Sequence, residues 1–140
     1  MTKDPTCCSP GDPVLRAAEI MKQDDIGSVP VVENHEGRKL IGIVTDRDLV
    51  LNIMAENKDL ASSKVQEAMT LYPVTCHEGD NLDHAMDLMA THQVRRIPVV
   101  DAKGCILGII SQADLATRVD KPKKTAEVLE EISQPVVQHE

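Results

Sequence analysis

Aromatic residues are nearly missing from this chain: it has no tryptophan, no phenylalanine and one tyrosine, Tyr72. Binding modes that stack bases on aromatic faces are therefore excluded, and the core must be built from Val, Ile, Leu, Ala and Met. Positive charge is also short, since 15 Lys and Arg against 23 Asp and Glu leave a formal charge of −8. Such a surface repels phosphate backbones and speaks against a nucleic-acid partner, whereas a small phosphate ligand needs only a local cationic spot. No apolar run approaches the roughly 20 residues of a membrane span, and Met1-Thr2-Lys3-Asp4-Pro5 has no apolar stretch of the signal-peptide kind. A soluble, cytoplasmic protein without a membrane partner is expected. Cys7, Cys8, Cys76 and Cys105 form neither a CxxC pair nor a secreted disulfide framework, so reduced thiols are expected. His35-Glu36 and His77-Glu78 lack the second His of HExxH, and no GxSxG or GxxxxGK[ST] string occurs. With no carrier for catalysis, the expectation is a non-enzymatic protein with no cofactor.

What the chain does have is an internal repeat, and 140 residues suit two small copies. A shift of 68 positions lays Met1-Thr2 on Met69-Thr70, Pro5 on Pro73, Cys8 on Cys76, Gly11-Asp12 on Gly79-Asp80, and Pro30-Val31-Val32 on Pro98-Val99-Val100. After a two-residue difference in one turn, the shift becomes 66 and pairs Gly42-Ile43-Val44-Thr45 with Gly108-Ile109-Ile110-Ser111. Two copies suggest a pseudo-symmetric pair, because a solenoid needs at least three.

In each copy, apolar residues recur near helical spacing after an Asp that offers a cap: Val14, Leu15, Ala18, Ile20 and Met21 after Asp12, and Leu82, Ala85, Met86, Leu88 and Met89 after Asp80. Two β-branched runs follow, Ser28 to Val32 with Leu40 to Val44, copied as Arg96 to Val100 with Ile106 to Ile110; they predict buried strand pairs. A second helix starts at Asp46 or Gln112. The expected fold is α+β: two β-α-β-β-α repeats packed through their sheets to share one core, plus a C-terminal helix over Thr125 to Ile132. The boundaries are 1–58 for the first repeat, 59–64 for a polar linker, 65–120 for the second repeat and 121–140 for the C-terminal helix and tail.

The strings Asp25-Ile26-Gly27-Ser28-Val29-Pro30-Val31-Val32 and Gly42-Ile43-Val44-Thr45-Asp46-Arg47-Asp48-Leu49, with their second copies, closely resemble the signature of a cystathionine beta-synthase (CBS) domain. The resemblance covers about residues 1 to 120, and two consecutive copies are called a Bateman module. The short helix that usually precedes the first Met-Thr in this family is missing here, while Glu130-Glu131-Ile132-Ser133-Gln134-Pro135 resembles the endings of stand-alone bacterial members.

The resemblance implies binding of an adenine nucleotide, AMP, ADP or ATP, in the cleft between repeats, with occupancy transmitted by a conformational change. Its motif carries phosphate contact onto Thr45 and Ser111 and ribose contact onto Asp48 and Asp114. These residue types suit the task, because a carboxylate accepts two hydroxyl donors and a strand-to-helix junction favours anions. The same Thr45-x-x-Asp48 and Ser111-x-x-Asp114 spacing also fits a helix capping box, and the two roles can coexist. Arg95 and Arg96 have no charged counterpart in Gly27-Ser28, so the second site is better equipped for phosphate. Arg47 is a further candidate cation. With no aromatic to stack, the adenine is expected between aliphatic side chains such as Val29 or Ile97 and the backbone near Thr6 or Val74.

Two other readings stay open. Cys7, Cys8, Cys76 and His77 occupy equivalent positions in the repeats, and thiolates with imidazole suit a zinc or redox sensor, although buried cysteines also serve as core filling. His84 and His92 read as ordinary exposed helix histidines. Leu49-Val50-Leu51 with Ile53-Met54, and Val128-Leu129 with Ile132, present apolar residues for a homodimer interface. A purely structural dimerisation module would use that property alone, and a target protein is a further expected partner.

Overall fold

The computed structural model describes residues 1–119. The expected helix over Thr125 to Ile132, and with it Val128 and Leu129, lies outside the described residues. Two compact units emerge, and they do not divide where the repeats divide. One comprises Thr6–Pro73, and the other joins Met1–Pro5 to the chain from Val74 onward.

In the Thr6–Pro73 unit, helix α1 (Val14–Asp24) leads to strands β2 (Ser28–Val32) and β3 (Leu40–Thr45). Helix α2 (Asp46–Leu49) continues as a π-helical stretch, Val50–Met54, and a 3-10 turn, Val65–Glu67, precedes strand β4 (Thr70–Leu71). The antiparallel sheet runs β2-β3-β4. Cys8 makes a parallel bridge to Val31, so α1 is a crossover between parallel segments.

In the other unit, strand β5 (Cys76–His77) pairs in parallel with β6 (Arg96–Val100) across helix α3 (Leu82–His92). Strand β7 (Ile106–Ser111) returns antiparallel to β6 and leads into helix α4 (Gln112–Val119). The opening strand β1 (Thr2–Lys3) adds to β7, giving the order β1-β7-β6-β5. The elements are the α+β set expected. The Met-Thr strand of each sequence repeat, however, pairs within the sheet built mainly from the other repeat.

Glycine permits that pairing. A Cβ at Gly42 would stand 2.9 Å from Thr70 O, and one at Gly108 would stand 2.6 Å from Thr2 O, so only a bare backbone lets the Met-Thr strand approach. The segment read as a linker is likewise part of a unit: Val14 N–H donates to Ser63 O and Val65 N–H to Asp12 O, with Pro13 bridged to Lys64.

Each unit carries its own cluster of buried aliphatic residues. Ile20, Val29, Val44, Ile53 and Val65 centre one, while Leu82, Ile97, Val99 and Ile110 centre the other. Cys8 and Cys76 are fully buried fillers of these clusters. Within the expected dimer stripe, Ile53 is fully buried and Leu49 packs on the core, while Val50, Leu51 and Met54 stay exposed. Leu15, expected on the buried face of α1, is 48% exposed.

Neither Asp12 nor Asp80 caps its helix. Pro13 and Asn81 occupy the N-cap positions, and the two carboxylates instead accept backbone N–H bonds from Ser9 and His77, both at 2.9 Å.

Candidate functional site

The motif residues sit where β3 becomes α2 and where β7 becomes α4. At the first junction Thr45 Oγ1 accepts from Asp48 N–H at 3.0 Å, and Asp48 Oδ2 accepts from Thr45 N–H at 2.9 Å. At the second, Asp48's counterpart Asp114 accepts from Ser111 N–H at 2.9 Å and from Ser111 Oγ at 3.1 Å, while Ser111 Oγ accepts from Asp114 N–H at 3.3 Å. Both are capping boxes, each contributing about 1 kcal/mol to its helix. Asp114 Oδ2 also lies 3.6 Å from the α-nitrogen of Met1. A capping role leaves room for a ligand at Asp48, whose Oδ1 makes no hydrogen bond among the described residues.

Register places the neighbours. Arg96 stands directly opposite Ser111, and Ser28 directly opposite Thr45; such partners share a sheet face. Arg96 is half-buried and Arg95 exposed, and neither has an ion-pair partner among the described residues. Arg47 is exposed, and only its backbone N–H is engaged, with Asp46. The structure thus gathers Arg96, Ser111 and Asp114 in one unit and Thr45, Asp48 and Ser28 in the other.

Val29 and Ile97 occupy the opposite face of their strands, are 0% exposed and belong to the core clusters. Strand alternation explains it: the residue next to Ser28 or Arg96 must point to the other face of the sheet. These two side chains are core residues. Val74 is half-buried against its core, and Thr6 is exposed. At Gly42 and Gly108, which flank the motifs, the Met-Thr strands that cross them leave no room for a Cβ.

Sequence reasoning missed Ser28. Its hydroxyl is buried, with the residue 6% exposed, and has no hydrogen-bond partner among the described residues. A buried hydroxyl left unpaired costs about 1–3 kcal/mol, so this one marks a polar position beside the motif. Its equivalence to Arg96 under the 68-residue shift was the available signal.

The four residues of the metal-sensor reading divide between the two units. Cys7 and Cys8 belong to one unit, and Cys76 and His77 to the other; the His77 side chain is exposed while its backbone N–H serves Asp80. Among the described residues, the donors that come together are Cys76, Asp80 and His84. Burial, then the Asp80 charge, pushes the Cys76 thiol up to about 11. Cys8 is likewise raised to about 11 by burial and then Asp12, and Cys7 is raised by burial.

No helix among the described residues is long and apolar enough to cross a membrane. The CBS domain family model matches residues 1–55 and 65–121. YlbB of Bacillus subtilis, a protein described as uncharacterized, is 41% identical over 134 residues, which cover 96% of this chain and 88% of that protein. YhcV of the same organism, described as CBS domain-containing, is 35% identical over 133 residues, covering 95% and 91%. Among solved structures, CBSX2 in complex with AMP matches with a TM-score of 0.74 and 29% identity, covering 88% of this chain and 94% of that one; CBSX2 comes from Arabidopsis thaliana.

Proposed function

Since the chain belongs to the CBS-domain family, we propose that this CBS pair binds adenine nucleotides, AMP, ADP or ATP, through its two strand-to-helix motifs, and that it regulates without catalysing. Asp48 and Asp114 receive ribose hydroxyls, while Thr45, Ser111, Arg95 and Arg96 receive phosphate. The observation that carries the reading is Arg96: a half-buried arginine, opposite the Ser111 cap and without a counter-charge among the described residues. A phosphate satisfies it with the bidentate geometry that guanidinium favours. The AMP complex of the similar CBSX2 supports the ligand class. In the first repeat Ser28 supplies an uncharged donor at the same position, so that site suits a ligand portion with less charge. Adenine is read by backbone near Val29, Ile97 and Val74, since the side chains at 29 and 97 are spent on the core.

Regulation follows only if two conformations of the module differ in nucleotide affinity, because a ligand that binds both equally shifts no population. The exposed Val50, Leu51 and Met54 provide the apolar surface for self-association or for a target protein.

Isothermal titration with AMP and ATP tests the reading. Wild type should bind at least one of them, and Arg96→Ala should weaken that binding about 10- to 100-fold, the equivalent of one lost charge-assisted bond of about 1.5–3 kcal/mol. Arg96 is a better probe than Asp114, whose removal also uncaps α4; Asp114→Ala is interpreted beside its thermal unfolding curve. Wild type silent toward both nucleotides, or an Arg96→Ala variant that binds as wild type, sinks the proposal.

A further inference from the structure

The unit that contains β5 holds three donors of different chemistry in one place. Cys76 on β5, Asp80 in the turn and His84 in the first turn of α3 each offer one ligand atom, and all three atoms lie within 4.8 Å of one another. We infer that Cys76 Sγ, Asp80 and His84 form a binding site for one zinc-like divalent transition-metal ion, separate from the nucleotide motifs.

Several observations support the site. The carboxylate is not spent on capping α3, because Asn81 takes that role, accepting from His84 N–H at 2.9 Å. Asp80 Oδ2 is held by His77 N–H at 2.9 Å and lies 3.6 Å from His84 Nε2. A backbone donor that fixes a ligand carboxylate is a common outer-shell arrangement at metal sites. Cys76 is fully buried, Asp80 partly buried and His84 exposed, so the donors run from the interior to an open side by which an ion enters.

The donor set selects the ion. A thiolate beside an imidazole disfavours magnesium and calcium, which take oxygen ligands, and suits zinc and its borderline neighbours. Bonds of about 2.0–2.3 Å in a tetrahedron separate donors by about 3.3–3.8 Å. The present spread closes to that by about 1 Å, a movement available to the exposed His84 side chain. As the sulfur–metal bond forms, Cys76 releases its thiol proton to solvent and the metal keeps its oxidation state. Three protein donors leave a fourth position for water or an external ligand.

The first repeat is an internal comparison. The same 68-residue shift sets Cys8 on Cys76, Asp12 on Asp80 and Arg16 on His84. Cys8 is equally buried, and Asp12 is held by Ser9 N–H at the same 2.9 Å. The guanidinium at the third position has no lone pair and carries the wrong charge. One scaffold thus appears twice, and among the described residues only the second copy completes a donor set.

The test is titration of chelator-stripped, tag-free full chain with Co²⁺, then Zn²⁺. Expected are one Co²⁺ per chain with a thiolate-to-cobalt charge-transfer band, and displacement of that band by Zn²⁺. His84→Ala, on an exposed position that leaves folding intact, should weaken the metal at least about 100-fold, since even outer-shell changes cost about 10- to 100-fold. Arg16→His should add a second equivalent, and Arg96→Ala should leave metal binding unchanged. No charge-transfer band in wild type, or the same stoichiometry and affinity in His84→Ala, overturns the site. An Arg16→His variant that still takes one ion overturns the role given to this position in separating the copies.

Discussion

Gly42 and Gly108 belong to the repeated motif, and the structure gives them a packing reason that a single methyl group tests. An added Cβ at 42 meets Thr70 O at 2.9 Å and Met69 Sδ at 3.2 Å; at 108 it meets Thr2 O at 2.6 Å and Met1 Cγ at 2.8 Å. Carbon–oxygen contacts between neighbouring strands settle at about 3.3–3.6 Å. The crossing strand must therefore retreat by roughly 0.4–0.7 Å in Gly42→Ala and by roughly 0.7–1.0 Å in Gly108→Ala. Overpacking of this kind costs about 1–3 kcal/mol. Gly42→Ala has no inexpensive relief, because β4 begins two residues after the fully buried Ala68 and is held beyond its end by Tyr72 N–H to Ile41 O at 3.3 Å. Urea unfolding followed by circular dichroism measures the loss, with Gly11→Ala and Gly79→Ala as controls. Neither control site has an atom within 4 Å of the new Cβ, so both should stay within about 0.5 kcal/mol of wild type. If Gly42→Ala and Gly108→Ala fall in the same narrow range as the controls, the close approach of the Met-Thr strands is wrong, and the glycines need another explanation.

Other substitutions probe the capping boxes, the buried hydroxyl and the thiols. Thr45→Ala should lower unfolding free energy by about 1 kcal/mol, whereas Thr45→Ser, which keeps the cap oxygen, should be nearly silent in the same urea assay. Ser28→Ala removes an unpaired buried hydroxyl and should hold or raise ligand-free stability by up to about 1 kcal/mol, and it should weaken any nucleotide that occupies the first motif; a clear loss of ligand-free stability would show that the hydroxyl is paired after all. In metal-free protein, Cys8 and Cys76 should resist alkylation at neutral pH and react faster as pH approaches about 11, with the half-exposed Cys105 labelled first by mass spectrometry. The stability linked to these two raised thiols is fully present below pH 9.0, their ordinary value, and is lost as pH rises from there through about 11; a thermal midpoint that rises across this window would contradict the sign.

The parts of the fold legible in the sequence were those with a period or a boundary. The strands Ser28–Val32 and Arg96–Val100 begin and end where the β-branched runs do, and the second helices start at Asp46 and Gln112 because a cap precedes each. The repeated Met-Thr was visible, but neither its strand nor its sheet was, since two residues carry no alternation and the sheet is chosen by the bare backbone at Gly42 and Gly108. Those glycines were visible in the motif, yet a tight strand approach and a close ligand approach ask for the same residue. The helix caps failed for a related reason: Asp80 and Asn81 are adjacent and chemically equivalent as caps, and only backbone geometry gives the role to Asn81. At the site, Thr45–Asp48 and Ser111–Asp114 are local and could be read directly. Ser28 needs strand register to meet Thr45, and Cys76, Asp80 and His84 are spread over a strand, a turn and a helix, so no single periodicity joins them.

Duplication supplies what periodicity cannot. Two copies that share their capping boxes, strand-crossing glycines and buried cysteines differ, among other positions, at Ser28 against Arg96 and at Arg16 against His84. Such a change becomes a candidate for chemistry where it falls beside a capping box, as at Arg96 opposite Ser111, or beside a buried cysteine, as at His84 near Cys76. Both differences favour the second copy, one toward phosphate and one toward a metal ion, and an exchange separates them. Arg96→Ser should remove phosphate affinity while Co²⁺ binding persists, and His84→Arg should do the reverse. If either substitution abolished both, the two sites would be coupled and the matched positions would not be independent readouts.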